Sequence, residues 1–260
     1  MKSFTIATWN VNSLRVRLPH VLAWLKSVAP DVLVLQEIKC LTEKFPDDEI
    51  RDAGYEAIVS GQKTYNGVAI LIKNRAGNEV VTDFPDWQDP GRRMLAVTVD
   101  HVRVINLYVP NGESLVSEKY QYKLTWLKQL TLFLKAELNQ YSKVIVLGDF
   151  NIAPTDHDVY DPNAWQGRVL FSEPERAAFQ TLLALGFVDC FRLFQQPDES
   201  YSWWDYRIPN ALKRNMGLRI DHILASKTLA NQCKRCVIDP APRAWERPSD
   251  HAPVLAEFVV

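Results

Sequence analysis

Short apolar runs that recur along the whole chain constrain its fold more than any other feature of the sequence. Several of them, such as Val-Leu-Val-Leu at 32–35 and Val-Ile-Val-Leu at 144–147, are apolar at every position. A strand of this kind is covered on both faces, as in a sheet packed between other layers. The runs predicted to be strands are Phe4–Trp9, Val32–Gln36, Gly67–Ile72, Leu95–Val99, Val102–Tyr108, Val144–Leu147, Arg219–Leu224 and Pro253–Val259.

Helical periodicity separates some of these runs. Apolar residues at helical spacing predict one helix over 18–28, behind a proline, and a longer one over 120–138. Ser172 with Glu175 forms a capping-box pattern that predicts the start of another helix, which ends before Gly186. No Pro-rich or Gly/Ser-rich linker divides the chain, so we expect residues 1–260 to form a single α/β domain.

Charge and hydropathy exclude several classes of protein. Thirty basic and 31 acidic residues give a net charge of −1, so any surface that binds nucleic acid must be local or assisted by a metal. No apolar run approaches the length of a membrane span, and the N-terminus reads as a strand instead of a signal peptide. We therefore expect an intracellular, cytoplasmic protein, and most simply a monomer.

Cys233 and Cys236 form the only CxxC pattern in the sequence. A structural zinc site needs two further ligands, and no second CxxC or HxxxH is available. We therefore expect reduced cysteines in a strand near the surface.

Acidic and amide side chains repeatedly follow the apolar runs. Strand ends on one rim of a sheet core are common places for functional sites. Carboxylate and amide oxygens also suit a hard cation such as Mg²⁺. The residues in question are Asn10, Asn12, Glu37, Asp149, Asn151, Asp221 and Asp250.

Two segments resemble signatures of the exonuclease III type of apurinic/apyrimidinic endonuclease. Residues 30–39 (PDVLVLQEIK) resemble the first signature, and residues 215–226 (NMGLRIDHILAS) resemble the third. A second signature is similar to DCFR at 189–192 with YSWW at 201–204, although Cys190 and Leu193 depart from it. GDFN at 148–151 and SDH at 249–251 also match, so the resemblance spans residues 4–259.

This resemblance implies a fold and an activity. The expected fold is a four-layered α/β sandwich of the endonuclease/exonuclease/phosphatase class, with two packed mixed β-sheets flanked by helices. The expected activity is a Mg²⁺-dependent phosphodiesterase of DNA repair, in which Mn²⁺ can substitute. Its substrate would be duplex DNA with abasic sites, nicks or blocked 3′ ends.

The resemblance also implies roles for individual residues. Asp149 would orient or deprotonate the attacking water. Tyr108 and Asn151 would donate hydrogen bonds to phosphate oxygens. His251 would touch the scissile phosphate, while Asp221 accepts its other ring N–H.

Metal and substrate contacts follow from the same resemblance. Glu37 is the expected primary metal ligand, with Asp250 nearby. The family can carry an acid or an amide two residues after Asn10, and Asn12 at this position is a neutral and weaker ligand. Apart from the resemblance, the charge pattern offers basic residues that could face DNA, namely Lys63, Arg92, Arg93, Lys213, Arg214, Arg219, Arg243 and Arg247. The residues expected at the substrate are Asn10, Asn111, Trp203 and Leu218.

Three alternatives stay open at this point. The same fold could serve a phosphatase of inositol lipids or sphingomyelin, or a catalytically silent nucleic-acid-binding regulator. The phosphate-chemistry motifs are also shared by 3′-end trimming and abasic-site incision. Bulky residues in the loop 165–171 could narrow the pocket that separates these two reactions.

Overall fold

The predicted strands assemble into two six-stranded mixed sheets. The computed structural model describes residues 3–260, so Met1 and Lys2 of the predicted domain lie outside the described residues. The strands are β1 (Ser3–Asn10), β2 (Val32–Gln36), β3 (Tyr55–Ser60), β4 (Val68–Lys73), β5 (Asn78–Val81), β6 (Met94–Val99), β7 (Val102–Tyr108), β8 (Val144–Asp149), β9 (Phe187–Asp189), β10 (Asp221–Ser226), β11 (Cys233–Ile238) and β12 (Val254–Val259).

One sheet has the strand order β11-β12-β1-β2-β4-β3, and the other has the order β5-β6-β7-β8-β10-β9. Each sheet contains a parallel pair at its centre, β1 with β2 and β7 with β8. The neighbouring strands pair antiparallel. The predicted two mixed sheets are therefore confirmed.

The helices are α1 (Leu14–Val28), α2 (Asp47–Asp52), α3 (Glu118–Gln140), α4 (Pro162–Trp165), α5 (Glu173–Ala184) and α6 (Lys227–Ala230). Helices α1 and α2 cover the outer face of one sheet and α3 and α5 that of the other, whereas α6 adds Leu229 and Ala230 to the apolar layer between the sheets. Short 3₁₀ turns lie at Thr42–Lys44, Asp156–Asp158, Cys190–Leu193 and Ala241–Ala244.

The alternation of side chains along β2 shows why its sequence is continuously apolar. Val32 and Val34 belong to the cluster between the two sheets, whereas Leu33 and Leu35 pack with Trp24 of α1 on the other face. On the far side of the molecule, α3 and α5 pack on the second sheet through another apolar cluster. Helix, sheet, sheet and helix thus form the predicted four layers, with both faces of the central strands buried.

The helix boundaries mostly follow the predicted signals. Ser117 caps α3 by accepting a hydrogen bond from the Tyr120 N–H at 3.1 Å. The predicted capping box of Ser172 and Glu175 is present at the start of α5. Helix α1 begins at Leu14, earlier than predicted, and contains Pro19.

Strands β3, β5 and β9 were not predicted. β3, β5 and β9 are the edge strands of their sheets, and β5 is largely exposed. A strand at a sheet edge has fewer buried side chains than a central strand, so its sequence shows a weaker apolar pattern. Cys233 and Cys236 lie in β11 with free thiols, as predicted. They are buried instead of near the surface, because their side chains join the apolar cluster between the two sheets.

Among residues 3–260, no helix is long and apolar enough to cross a membrane.

Candidate active site

The central strands of both sheets deliver polar side chains to one shared rim. Asn10 ends β1, and Glu37 directly follows the parallel strand β2. In the other sheet, Tyr108 of β7 and Asp149 of β8 are register partners. β10 runs antiparallel to β8, so its first residue, Asp221, lies opposite Asp149 at the same edge.

Asn10 links the two sheets at this rim. Its side-chain amide donates to Glu37 Oε1 at 2.9 Å and to Asp149 Oδ2 at 2.9 Å. Asn10 is fully buried. One amide therefore fixes the separation of two carboxylates that come from different sheets.

His251 and two aspartates form the second part of the site. His251 donates from Nδ1 to Asp221 Oδ2 at 2.8 Å, and its Nε2 lies 3.8 Å from Asp149 Oδ2. Burial lowers the pKa of His251, but the carboxylates of Asp221 and Asp149 outweigh burial and raise it to about 10. The ring therefore carries a proton on each nitrogen at neutral pH, and Nε2–H is available as a donor.

Asp149 combines several donors with a perturbed acidity. Burial raises the pKa of Asp149, against the lowering influence of His251. The Asn151 N–H donates to Asp149 Oδ1 at 2.9 Å. A buried carboxylate whose pKa is raised is a stronger base than an exposed one, as proton abstraction from water requires.

Asn151 follows β8 with a left-handed backbone, φ 49°. Its side-chain amide donates to the Val109 carbonyl at 2.9 Å, and its Oδ1 accepts from Asn111 Nδ2 at 3.1 Å. The two asparagines are thereby joined next to Asp149. Both lie where the resemblance places contacts to phosphate.

Tyr108 lies beneath a guanidinium group. The Arg93 guanidinium carbon is 4.7 Å from the centre of the Tyr108 ring. Burial and the nearby Glu37 carboxylate raise the pKa of Tyr108 well above its ordinary value. The phenol therefore stays protonated and can only act as a hydrogen-bond donor towards an anion.

Two of the predicted metal ligands contact a positive charge. The Lys39 ammonium lies 2.8 Å from Glu37 Oε2 and 2.7 Å from Asn12 Oδ1. Asn12 Nδ2 donates in turn to Asp250 Oδ1 at 3.0 Å. Burial raises the pKa of Glu37, but Lys39 and Asn10 outweigh burial and lower it, so this carboxylate is ionised. The donor set therefore fits a cation bound by oxygen ligands.

Among the described residues, Asp149, Asp221 and His251 have ligand atoms within 4.8 Å of one another, so the site contains acidic groups that could hold a metal ion. The rim therefore offers two groups of ligand atoms for a cation, this trio and the carboxylate of Glu37 with its neighbours.

A cleft of about 610 Å³ opens beside the rim. Tyr108, Asn111 and Trp203 line it, together with Trp165 and Leu170 of the loop that was expected to narrow the pocket. The Trp203 indole N–H donates to Asp250 Oδ2 at 3.0 Å. This aromatic wall is therefore tied to Asp250, one of the expected metal ligands.

Leu218 lies behind this wall. It is 1% exposed, pairs through its backbone with Trp203, and packs with Leu170 and Phe171. Its side chain supports the cleft from within the core.

Two of the basic residues considered for DNA contact lie inside the protein. Arg219 is 1% exposed and pairs with Asp158 and Asp189. Arg243 is buried over the ring of Trp204. The expectation that they face DNA was wrong, because each guanidinium finds its partners within the fold.

His222 faces away from the site, because it follows Asp221 in β10 and neighbouring residues of a strand point to opposite faces. Its ring packs against Phe150 and Phe179. The Arg219 guanidinium can only donate, so Nδ1 of His222 accepts from it at 3.0 Å, and Nε2 is left to donate to the Ile152 carbonyl at 2.8 Å. His222 is therefore a neutral structural histidine.

Sequence reasoning gave no role to Lys39 or Lys123 and considered Arg93 only as a possible DNA contact, although all three contact residues of the site. Lys39 is two positions after Glu37 in the first signature, and that spacing could have signalled it. Nothing in the local sequence signals the contact of Arg93 with Tyr108 or the contacts of Lys123, because these partners are distant along the chain.

Comparison with known proteins decides the family. Residues 7–251 match the Endonuclease/Exonuclease/phosphatase family. The chain belongs to this family. As a member of the endonuclease/exonuclease/phosphatase family, it is 38% identical to exodeoxyribonuclease III of Haemophilus influenzae, over 96% of this chain and 98% of the relative.

Solved structures of family members superpose over nearly the whole chain. The 3′ phosphatase NExo from Neisseria, bound to a product DNA hairpin, is 47% identical with a TM-score of 0.96, over 99% of this chain and 100% of that one. An AP endonuclease from Archaeoglobus fulgidus is 40% identical with a TM-score of 0.95, over the same shares of the two chains. Both the resemblance noted in the sequence and the expected fold are thus confirmed.

Proposed function

We propose that this protein is a Mg²⁺-dependent phosphodiesterase of DNA repair. Its substrate is duplex DNA that carries abasic sites, nicks or blocked 3′ ends. The relatives named above are an exodeoxyribonuclease, a 3′ phosphatase and an AP endonuclease, and the same site can serve all three reactions. We also propose that the chain forms a single domain, since both sheets contribute to one apolar cluster, and that it acts as a monomer.

The observation that carries the proposal is the bridge from Asn10 to Glu37 and Asp149. It holds Glu37, which would bind a cation, and the basic carboxylate of Asp149 each at 2.9 Å from one amide nitrogen. Hydrolysis of a phosphodiester needs both functions at the same phosphorus atom.

A divalent cation bound by Glu37, with Asn12 and Asp250 beside it, would neutralise negative charge on the scissile phosphate. Asn12 offers a neutral oxygen in place of a carboxylate, so we propose one strong metal site. Mg²⁺ fits this oxygen-rich set, and Mn²⁺ substitutes because it accepts the same ligands.

The protein's own groups perform the remaining steps. Asp149 takes a proton from the attacking water. The protonated Nε2 of His251 and the side chains of Asn151 and Tyr108 donate hydrogen bonds to the phosphate oxygens as negative charge increases. Asp221 holds the His251 ring in the required orientation and keeps it charged.

The cleft at Trp203 accommodates the sugar next to the cleaved bond. An aromatic wall favours a baseless deoxyribose turned out of the helix, since no base then competes for the space. A terminal 3′ phosphate needs no extrahelical sugar, and unstacking at an end costs less than at an internal site. We therefore propose 3′-end processing together with abasic-site incision.

The decisive experiment compares two duplexes, one nicked with a 3′ phosphate and one with a single abasic site. We expect turnover of both in Mg²⁺ and none in EDTA. Asp149→Asn should slow turnover by about 10²–10⁴-fold while the variant still binds the abasic duplex. Turnover of an inositol phosphate but not of DNA would refute the proposal in favour of another phosphatase. Tight binding without any hydrolysis would indicate a catalytically silent regulator.

A further inference from the structure

A fully buried lysine lies beneath the active-site rim. Lys123 of α3 is 0% exposed, and its ammonium has three partners. It donates to the Asn151 carbonyl at 2.7 Å and the Asn111 carbonyl at 3.1 Å, and it forms an ion pair with Glu175 of α5. Burying an ammonium costs several kcal/mol unless its donors are satisfied, and here all three N–H groups have acceptors.

Glu175 is equally buried and equally satisfied. Besides Lys123, it accepts from the Leu170 N–H at 3.0 Å and from the Ser172 N–H at 3.0 Å, and the Ser172 hydroxyl also donates to it. Leu170 has a left-handed backbone, φ 76°, which is strained for a branched side chain. The carboxylate thus holds the strained residue that lines the cleft.

Lys123 and Glu175 therefore connect two parts of the site that no strand joins. On one side are the carbonyls of Asn111 and Asn151, which lie beyond the ends of their strands and are outside the sheet ladder. On the other side is the cleft wall at Leu170. Replacing a buried ion pair by apolar residues is often neutral for stability, so stability alone does not explain a pair at this place.

We propose that the ion pair of Lys123 and Glu175 is a positioning device. It fixes the two phosphate-facing asparagines and the cleft wall in one geometry. The inference rests on the proposed function, because the geometry it sets is that of the DNA phosphate and its sugar. Displacement of a reacting group by about 1 Å can cost about 10²-fold in rate.

The test uses the double variant Lys123→Met with Glu175→Met, which leaves no unpaired buried charge, together with Lys123→Met alone. On the nicked duplex with a 3′ phosphate, we expect kcat to fall by about 10–10²-fold in both, and KM to change by less than about threefold. The double variant should be no slower than the single one, because the two residues act as a unit.

Arg103 supplies a matched control. It pairs with Glu137, which is on the same helix as Lys123, and both are buried away from the rim. Arg103→Met should lower the melting temperature and keep the wild-type kcat below that temperature. Equal losses of kcat in the Arg103 and Lys123 variants would mean that any broken buried pair on α3 has this effect, and would overturn the proposal.

Hydrogen exchange gives a readout that does not depend on catalysis. The Leu170 and Ser172 amides should lose protection in the double variant, while amides in the centre of β8 keep theirs. Wild-type kcat and KM in a folded double variant would overturn the proposal, as would a double variant that does not fold, since the pair would then serve the fold itself. Absence of DNA hydrolysis by the wild type would instead refute the proposed function, and the exchange result would still stand.

Discussion

Replacing Asp221 by asparagine should lower the pKa of His251. Asp221 accepts the His251 Nδ1–H at 2.8 Å, and its charge is the largest contribution that raises the pKa of this histidine, from 6.5 to about 10. Loss of only part of that shift, about two pKa units, corresponds to about 3 kcal/mol. We therefore expect the pKa of His251 to fall by at least that much in Asp221→Asn.

The lower pKa of His251 in this variant should also slow catalysis. With a lower pKa, His251 is partly neutral at pH 8, and the neutral ring can donate from only one nitrogen. We expect kcat for the nicked duplex to fall by about 10²–10⁴-fold, most strongly at high pH. NMR titration of the imidazole nitrogens in EDTA measures the pKa directly, and steady-state kinetics in Mg²⁺ measure the rate.

Ser202 provides the control for this experiment. Its hydroxyl donates to the same oxygen, Asp221 Oδ2, at 2.7 Å but carries no charge. Ser202→Ala should leave the pKa of His251 well above 6.5. A His251 pKa in Asp221→Asn within about half a unit of the wild-type value would refute the electrostatic reasoning.

Other predictions concern the metal, the cleft and the pH dependence of stability. Glu37→Gln should weaken metal binding, measured by calorimetry, and its activity should partly recover at high Mn²⁺; full activity at low metal would contradict this. Trp203→Ala should impair abasic incision more than 3′-phosphate removal. Trp203→Phe keeps an aromatic wall but loses the hydrogen bond to Asp250, and it should affect both reactions alike. Equal losses of both reactions in Trp203→Ala would show that Trp203 only packs in the core. Burial lowers the pKa of His222 from 6.5 to about 4, so the folded protein binds a proton at this histidine less readily than the unfolded chain does. The contribution of neutral His222 to stability is therefore fully present above pH 6.5 and is lost as the pH falls towards 4. The free energy of unfolding should therefore drop by about 3 kcal/mol more over that range in the wild type than in His222→Phe, as measured by urea denaturation.

The sequence alone predicted the layers and most of the rim. Continuously apolar runs such as Val32–Gln36 can only be stable when both faces are covered, so they indicate a sheet between two other layers. The polar residues that end these runs, including Glu37 and Asp149, then fall at strand ends whatever the strand order is. Burial pattern and strand ends are local properties of the chain, and a local pattern is sufficient to predict them.

The family signatures supplied what the pattern could not. The pairing of His251 with Asp221 was expected from the resemblance, because the two residues are 30 positions apart and no periodicity relates them. The structure brings them together, and the roles assigned to them stay predictions until the variants are measured.

Tertiary structure alone decided which charged residues are internal. Arg219 and Arg243 look like surface cations in the sequence, but the fold places carboxylates or aromatic rings against them. Lys123 and Glu175 are 52 positions apart and lie on different helices, yet they meet below Asn151. Burial of a charge depends on partners that arrive from distant segments, and those partners are set by the packing of the two sheets and their helices, which no local stretch of sequence encodes.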